Sequence, residues 1–173
     1  MKKTIREIYL AGGCFWGLEK YMQNVSGVVE TEAGYANGAT REPSYEEVCG
    51  GSGHAETVRV MYDSTVSGLP FILRRYFDVI DPLSINRQGG DSGVQYRTGI
   101  YYTDKGDEPV IRAELEALSR ECGQSIAVEC LPLINYSPAE DYHQKYLDNN
   151  PGGYCHISLD EIEEVKQYRD IVL

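Results

Sequence analysis

A short stretch of β-branched and aromatic residues, Ile5 to Ala11, runs into Gly-Gly, and apolar residues then fall at Phe15, Leu18 and Met22. The pattern predicts a strand, a tight turn and a helix over Phe15–Gln23, with Cys14 at the strand-to-helix turn. After the break at Gly27, Val28–Tyr35 reads as a second strand. Ala36–Ser44 reads as a loop and Tyr45–Cys49 as a short helical turn. Glu56–Tyr62 alternates as a strand does. Ser67–Ile80 carries Leu69, Ile72, Leu73, Tyr76, Phe77 and Ile80 on one helical face, with Ser67 as its cap and Pro70 in its first turn. Asp81–Tyr96 is a long polar, Gly-rich loop, and loops of that length in compact domains tend to carry function. A strand over Thr98–Thr103 and a helix over Asp107–Cys122 follow, the helix with Ile111, Leu115 and Leu118 on its apolar face. The pattern then predicts a strand over Ile126–Leu133, a helix over Pro138–Asp148 with an acidic first turn, and a final helix over Ser158–Tyr168. Strands and helices mix without strict alternation. The expected class is α+β, a mixed sheet with helices packed against it, with no repeat or linker dividing residues 1–173.

Composition narrows the function. The chain has 173 residues, enough to bury a core, and a formal net charge of −11. No cluster of Lys and Arg is present to neutralise phosphates, so nucleic acid and anionic membranes are not expected partners. No apolar run approaches the ~20 residues of a membrane span. "LAGGC" resembles a lipoprotein cleavage site, but Arg6 and Glu7 interrupt the stretch before it, so no signal peptide is expected. A cytoplasmic protein would keep Cys14, Cys49, Cys122, Cys130 and Cys155 as thiols, any disulfide being transient and functional.

Cys14 is the first candidate for chemistry. A helix N-terminus offers partial positive charge and free N–H groups, both of which favour a thiolate. Phe15 and the only tryptophan, Trp16, can wall an apolar pocket beside the sulfur. The alternative is a buried structural cysteine at a tight turn. Glu56 begins a strand that leads into the core, where desolvation would raise its pKa and make it a proton donor at neutral pH; otherwise it is an ordinary edge carboxylate. Tyr45, Asp91 and Tyr96 lie in or beside the polar loops and can each bring a hydroxyl or carboxylate to a site. Cys155 follows two glycines in "PGGYCHI" and is either a free surface thiol or one that a flexible tail brings to Cys14. Three histidines, His54, His143 and His156, and no Cys-x-x-Cys pair make a metal site weakly supported, and no cofactor is expected.

Taken together, "GGCFWG" at 12–17, "GYANG" at 34–38, "SYEEVCGGSGHAE" at 44–56, "NRQGGDSGVQYRTGIYY" at 86–102, "AEDYHQKYL" at 139–147 and "NPGGYCHI" at 150–157 resemble the A-class peptide methionine sulfoxide reductases over nearly the whole chain. The resemblance implies an α+β two-layer sandwich with a ferredoxin-like βαβ core. It also implies reduction of the S-epimer of methionine sulfoxide, free or in oxidised proteins, with the R-epimer refused. Cys14 matches the family's nucleophile and Glu56 its acid. Tyr45 and Tyr96 match its hydroxyl donors, and Asp91 a polar site residue. Phe15 and Trp16 match the pocket for the substrate's methyl group, and Cys155 the first resolving cysteine. Thioredoxin is the reductant that the resemblance implies. No cysteine follows Cys155, so a single Cys14–Cys155 disulfide handed directly to the reductant is expected, in a monomer. A thiol peroxidase or Cys–His hydrolase would use Cys14 without the aromatic wall. A non-enzymatic sulfoxide-binding protein would lack Cys14, Glu56 or the tyrosines, and all are here.

Overall fold

Two interlocked β-α-β units form the centre of the computed structural model, which describes residues 2–171. In chain order the elements are β1 (Ile5–Ala11), α1 (Phe15–Met22), β2 (Val28–Ala36), α2 (Tyr45–Cys49), β3 (Ala55–Asp63) and α3 (Leu69–Phe77). Then come the short β4 (Arg87–Gln88) and β5 (Asp91–Ser92), β6 (Gly99–Tyr102), α4 (Glu108–Cys122), β7 (Glu129–Pro132), β8 (Tyr136–Pro138), α5 (Tyr146–Asn149) and α6 (Leu159–Val165). The main sheet has the order β7-β6-β1-β3-β2-β8. β1 and β2 both pair antiparallel with β3 and flank it, and β3 and β6 do the same around β1. Each parallel pair is thus split by a third strand, the ferredoxin-like arrangement. The parallel β6–β7 pair makes the sheet mixed, and β8 adds antiparallel to β2.

Period-2 alternation decides which side chains meet the helices. Ile8 and Leu10, Ala33 and Tyr35, Val58, Val60 and Tyr62, and Ile100 and Tyr102 share a cluster with Leu18 and Met22 of α1, Ile72 and Leu73 of α3, Ile111 of α4 and Ile162 of α6. The opposite face carries a smaller cluster of Tyr9, Ala11, Ala36, Ala55 and Tyr101. Glu56 lies two residues before Val58, so the alternation of β3 aims it at the helix-covered side. It is 1% exposed.

Several elements depart from the periodicity reading. The expected helix over Pro138–Asp148 is instead β8, a 3₁₀ turn at Asp141–His143 and the one-turn α5. Tertiary hydrogen bonds replace the helical ones. The Gln144 amide takes the place of a strand neighbour for Ala33, accepting from its N–H at 2.9 Å and donating to its carbonyl at 2.7 Å. Lys145 adopts left-handed backbone, φ 49°, and its N–H donates to the buried Glu19 carboxylate at 2.8 Å. The strand expected over Ile126–Leu133 shortens to β7, because the Ala127 N–H is drawn to the Pro82 carbonyl at 2.6 Å. Ser67 is not a helix cap. Gly68 holds that position, and the Ser67 hydroxyl donates to the Ser26 carbonyl at 2.7 Å. α3 ends at Phe77, short of Ile80, and α6 ends at Val165, short of Tyr168. Inside the predicted long loop, β4 and β5 form a tiny hairpin, tied down by two hydrogen bonds of 2.8 Å between the Gln88 amide and the Asp81 backbone. Among the described residues no helix is long and apolar enough to cross a membrane.

Candidate active site

The site is built around the turn that joins β1 to α1. Gly13 takes φ 77°, and a Cβ there would stand 2.7 Å from Gln88 Cβ, so only glycine lets the hairpin close over the turn. The buried Tyr76 hydroxyl pins the start of the turn, donating to the Ala11 carbonyl at 2.5 Å. The Gly13 N–H donates to the Tyr96 carbonyl at 3.2 Å, which ties in the 3₁₀ turn Val94–Tyr96. Cys14 is the N-cap of α1, with extended backbone and 8% exposure.

The next amide along the chain reaches the acid. Phe15 N–H, the first helical amide, donates to Glu56 Oε1 at 3.1 Å. A helix N-terminus leaves such amides unpaired, and here one is spent on a carboxyl adjacent to the thiol. Burial pushes Glu56 up to about 8, the nearby Asp91 adding to the rise and the Phe15 N–H opposing it. Below that pH the carboxyl carries a proton.

The thiol behaves differently from the expectation of a helix-activated thiolate. Burial raises the Cys14 pKa well above its ordinary value, the negative charges of Glu56 and Asp91 add to this, and the Trp16 N–H offsets only part of it. Desolvation outweighs the few dipoles of a helix of 8 residues. The resting group is a thiol. Burial likewise raises Tyr45 and Tyr96, and both phenols also feel the charges of Glu56 and Cys14, so they stay protonated hydrogen-bond donors. Asp91, on the hairpin, keeps Oδ2 buried and without a partner among the described residues.

Aromatic rings form one wall. Trp16 stacks on Tyr146, with ring centroids 3.7 Å apart and planes 10° from parallel. The Trp16 indole N–H donates to His143 Nδ1 at 2.9 Å, which fixes the neutral His143 tautomer with its proton on Nε2. The His143 ring packs against Tyr45 at 4.7 Å and Phe15 at 5.1 Å. Glu140 holds the far side, accepting from the Tyr35 hydroxyl at 2.9 Å and the Tyr45 N–H at 3.2 Å. Sequence reasoning did not single out His143, Tyr146 or Glu140 for the site. Their signal was the run "AEDYHQKYL", read there as a helix.

Cys155 is half-buried, and its sulfur lies 2.9 Å from where a Cβ on Gly17 would be, one turn along α1 from Cys14. It donates to the Ile157 carbonyl at 3.0 Å, and all five cysteines are free thiols. A cleft of about 470 Å³, lined by Lys20, Leu147, Pro151, Gly153 and Ile162, opens beside it. Cys49 is exposed, while Cys122 and Cys130 pack at the edge of the core.

Comparison with known proteins agrees with this geometry. The family model for peptide methionine sulfoxide reductase matches residues 6–171. The peptide methionine sulfoxide reductase MsrA of Lachnoclostridium phytofermentans is 52% identical over 167 residues, covering 96% of this chain and 99% of that protein. The crystal structure of reduced Mxr1 from Saccharomyces cerevisiae superposes with a TM-score of 0.84 at 36% identity, over 90% of this chain and 92% of that one. Methionine sulfoxide reductase A of Corynebacterium diphtheriae superposes with a TM-score of 0.80 at 37% identity, over 87% of this chain and 77% of that one. Mxr1 has also been solved in complex with Trx2, a form that matches at a TM-score of 0.52 and 24% identity over 84% of this chain and 89% of that one, a likeness of fold. A model matched from residue 6 to residue 171, with a relative more than half identical along its whole length, places this chain in the peptide methionine sulfoxide reductase family.

Proposed function

We propose that this member of the family reduces the S-epimer of methionine sulfoxide, free or in oxidised proteins, by the following division of labour. Phe15 and Trp16 hold the substrate's methyl group against the aromatic wall. Glu56 gives its proton to the sulfoxide oxygen while the Tyr45 and Tyr96 hydroxyls donate hydrogen bonds to it, and Asp91 supports the polar side of the site. The Cys14 sulfur attacks the sulfoxide sulfur, and its thiol proton restores Glu56. Methionine leaves, and Cys14 becomes a sulfenic acid. This exchange accounts for a protonated resting thiol: Glu56 becomes a base at the moment it has spent its proton.

Cys155 then displaces the sulfenic hydroxyl and forms the Cys14–Cys155 disulfide. A dithiol reductant of the thioredoxin type restores both thiols, with the cleft beside Cys155 as its approach. The complex of Mxr1 with Trx2 supports that partner. Residues 1–173 act as one reductase domain, as a monomer and in the cytoplasm, where five free thiols stay reduced.

The observation that carries this reading is the Phe15 N–H to Glu56 hydrogen bond of 3.1 Å, which holds a buried, protonated carboxyl one residue from the Cys14 thiol. The test is a single-turnover assay with each epimer in the absence of reductant, followed by thiol counting and peptide mapping. One methionine from the S-epimer alone, two thiols lost and Cys14 joined to Cys155 are expected. Turnover of neither epimer overturns the reading.

A further inference from the structure

No step of the sulfoxide reduction uses His156, yet its ring lies along the turn that carries Cys14, beside Gly13 and Gly17. At the position a Cβ on Gly13 would occupy, His156 Nε2 comes within 3.0 Å, and at the corresponding point on Gly17, His156 Nδ1 comes within 3.3 Å. The Cys155 sulfur is 2.9 Å from that same Gly17 point. One edge of the imidazole therefore runs along the turn from the residue before Cys14 to the neighbourhood of Cys155. Gly89 of the hairpin backs onto its Cβ, which a side chain at Gly89 would approach to 3.1 Å. Both ring nitrogens are buried and neither completes a well-formed hydrogen bond among the described residues, the Gly12 backbone lying close to the ring. Buried polar nitrogens without partners are uncommon, and a catalytic role is one reason they persist.

The second half-reaction needs such a group. Burial raises the pKa of Cys155, so it waits as a thiol, and the Ile157 carbonyl that accepts its S–H cannot take the proton away. Hydroxide is a poor leaving group from sulfur until it is protonated. We propose that His156 is the proton-transfer group of the resolving step: it takes the Cys155 thiol proton as Cys155 attacks the Cys14 sulfenic sulfur, and passes it to the departing hydroxyl. The S–S bond forms and the Cys14 S–O bond breaks. The sulfenic sulfur is reduced as the Cys155 sulfur is oxidised, water leaves, and no further oxidant or reductant enters. The inference rests on the reductase reading, which supplies the sulfenic acid.

The surroundings suit a base. Burial keeps the imidazole below its ordinary pKa, with Asp91 and the Gly12 carbonyl pulling the other way. The charged group that acts on it is Asp91 from the hairpin; the Cys155 sulfur shares its neighbourhood at Gly17, and Glu161 of α6 acts on Cys155.

The full chain in single turnover with the S-epimer separates the steps, methionine release reporting the first and disulfide formation the second. His156→Gln keeps a polar side chain of related size without the base, and His156→Ala opens space for added imidazole. The expected result is methionine release at the native rate and disulfide formation slowed about a hundredfold, the scale of a lost acid–base group. The native rise of that rate with pH through the imidazole range should vanish in both variants, and imidazole should restore part of the rate in His156→Ala. Disulfide formation at the native rate, or slowed equally at every pH and unmoved by imidazole, overturns the proposal and leaves His156 as packing. No methionine release from the native chain overturns the reductase reading and this one with it.

Discussion

Phe15 and Glu56 are 41 positions apart in the chain and joined by one hydrogen bond of 3.1 Å, from backbone N–H to carboxyl oxygen. The bond ties the first turn of α1 to the first residues of β3. It holds the acid on the amide that directly follows the thiol's residue. A carboxyl so placed, 1% exposed, can donate a proton at neutral pH and can accept one immediately afterwards.

Glu56→Gln removes the proton but keeps the shape and the acceptor for Phe15 N–H. Methionine release in single turnover should fall about a hundredfold or more, on the scale of general acid catalysis, with substrate affinity nearly unchanged. Equal loss in both would remove the acid role.

The pH dependence follows from the same carboxyl. Glu56 is protonated below about 8 in the folded chain, so methionine release in single turnover should fall as pH rises through that value. Stability carries the matching sign. The folded pKa of about 8 exceeds the ordinary 4.5, so the folded state binds more protons between those values. This contribution is full below 4.5, declines as pH rises, and is lost above about 8. The Tm of Glu56→Gln relative to the native chain should therefore climb across that window, as read by thermal unfolding at successive pH values.

His143→Phe leaves the Trp16 indole N–H without its acceptor while keeping a ring in the wall. One net hydrogen bond is worth about 1 kcal/mol, so KM should rise severalfold, more than kcat falls. Steady-state kinetics on the S-epimer checks this, and an unchanged KM would detach His143 from the substrate wall.

Cys155→Ser should release one methionine per chain at the native rate and then stop. Mass spectrometry should find Cys14 oxidised and no disulfide. Continued turnover with thioredoxin would mean that the reductant attacks the sulfenic acid directly.

Tyr76→Phe deletes the buried hydroxyl that holds the Ala11 carbonyl at 2.5 Å and also reaches the Gly99 carbonyl at 3.3 Å. Two buried carbonyls lose a donor, at a cost of about 1–3 kcal/mol. For a chain of this size that lowers Tm by about 2–4 °C per kcal/mol. Calorimetry reads the loss.

Local pattern determined much of this protein. The strand–turn–helix around Cys14, the short α2, the alternation that sends Glu56 to the helix side of β3, and the α+β class all follow from neighbours within a few residues, where period and turn chemistry act directly. The tertiary structure decided what depends on partners far along the chain. "AEDYHQKYL" has helical composition, but Glu19 and Ala33 offer its backbone and Gln144 better hydrogen bonds, so it folds as a 3₁₀ turn and the start of a single α-helical turn. The protonation of Cys14 is decided at the same level. The helix N-terminus is visible in the sequence, whereas the burial that outweighs it exists only once β3, the hairpin and the Cys155 segment close over the turn. Short-range order is written in adjacent residues; desolvation and long-range hydrogen bonds are properties of the packed whole.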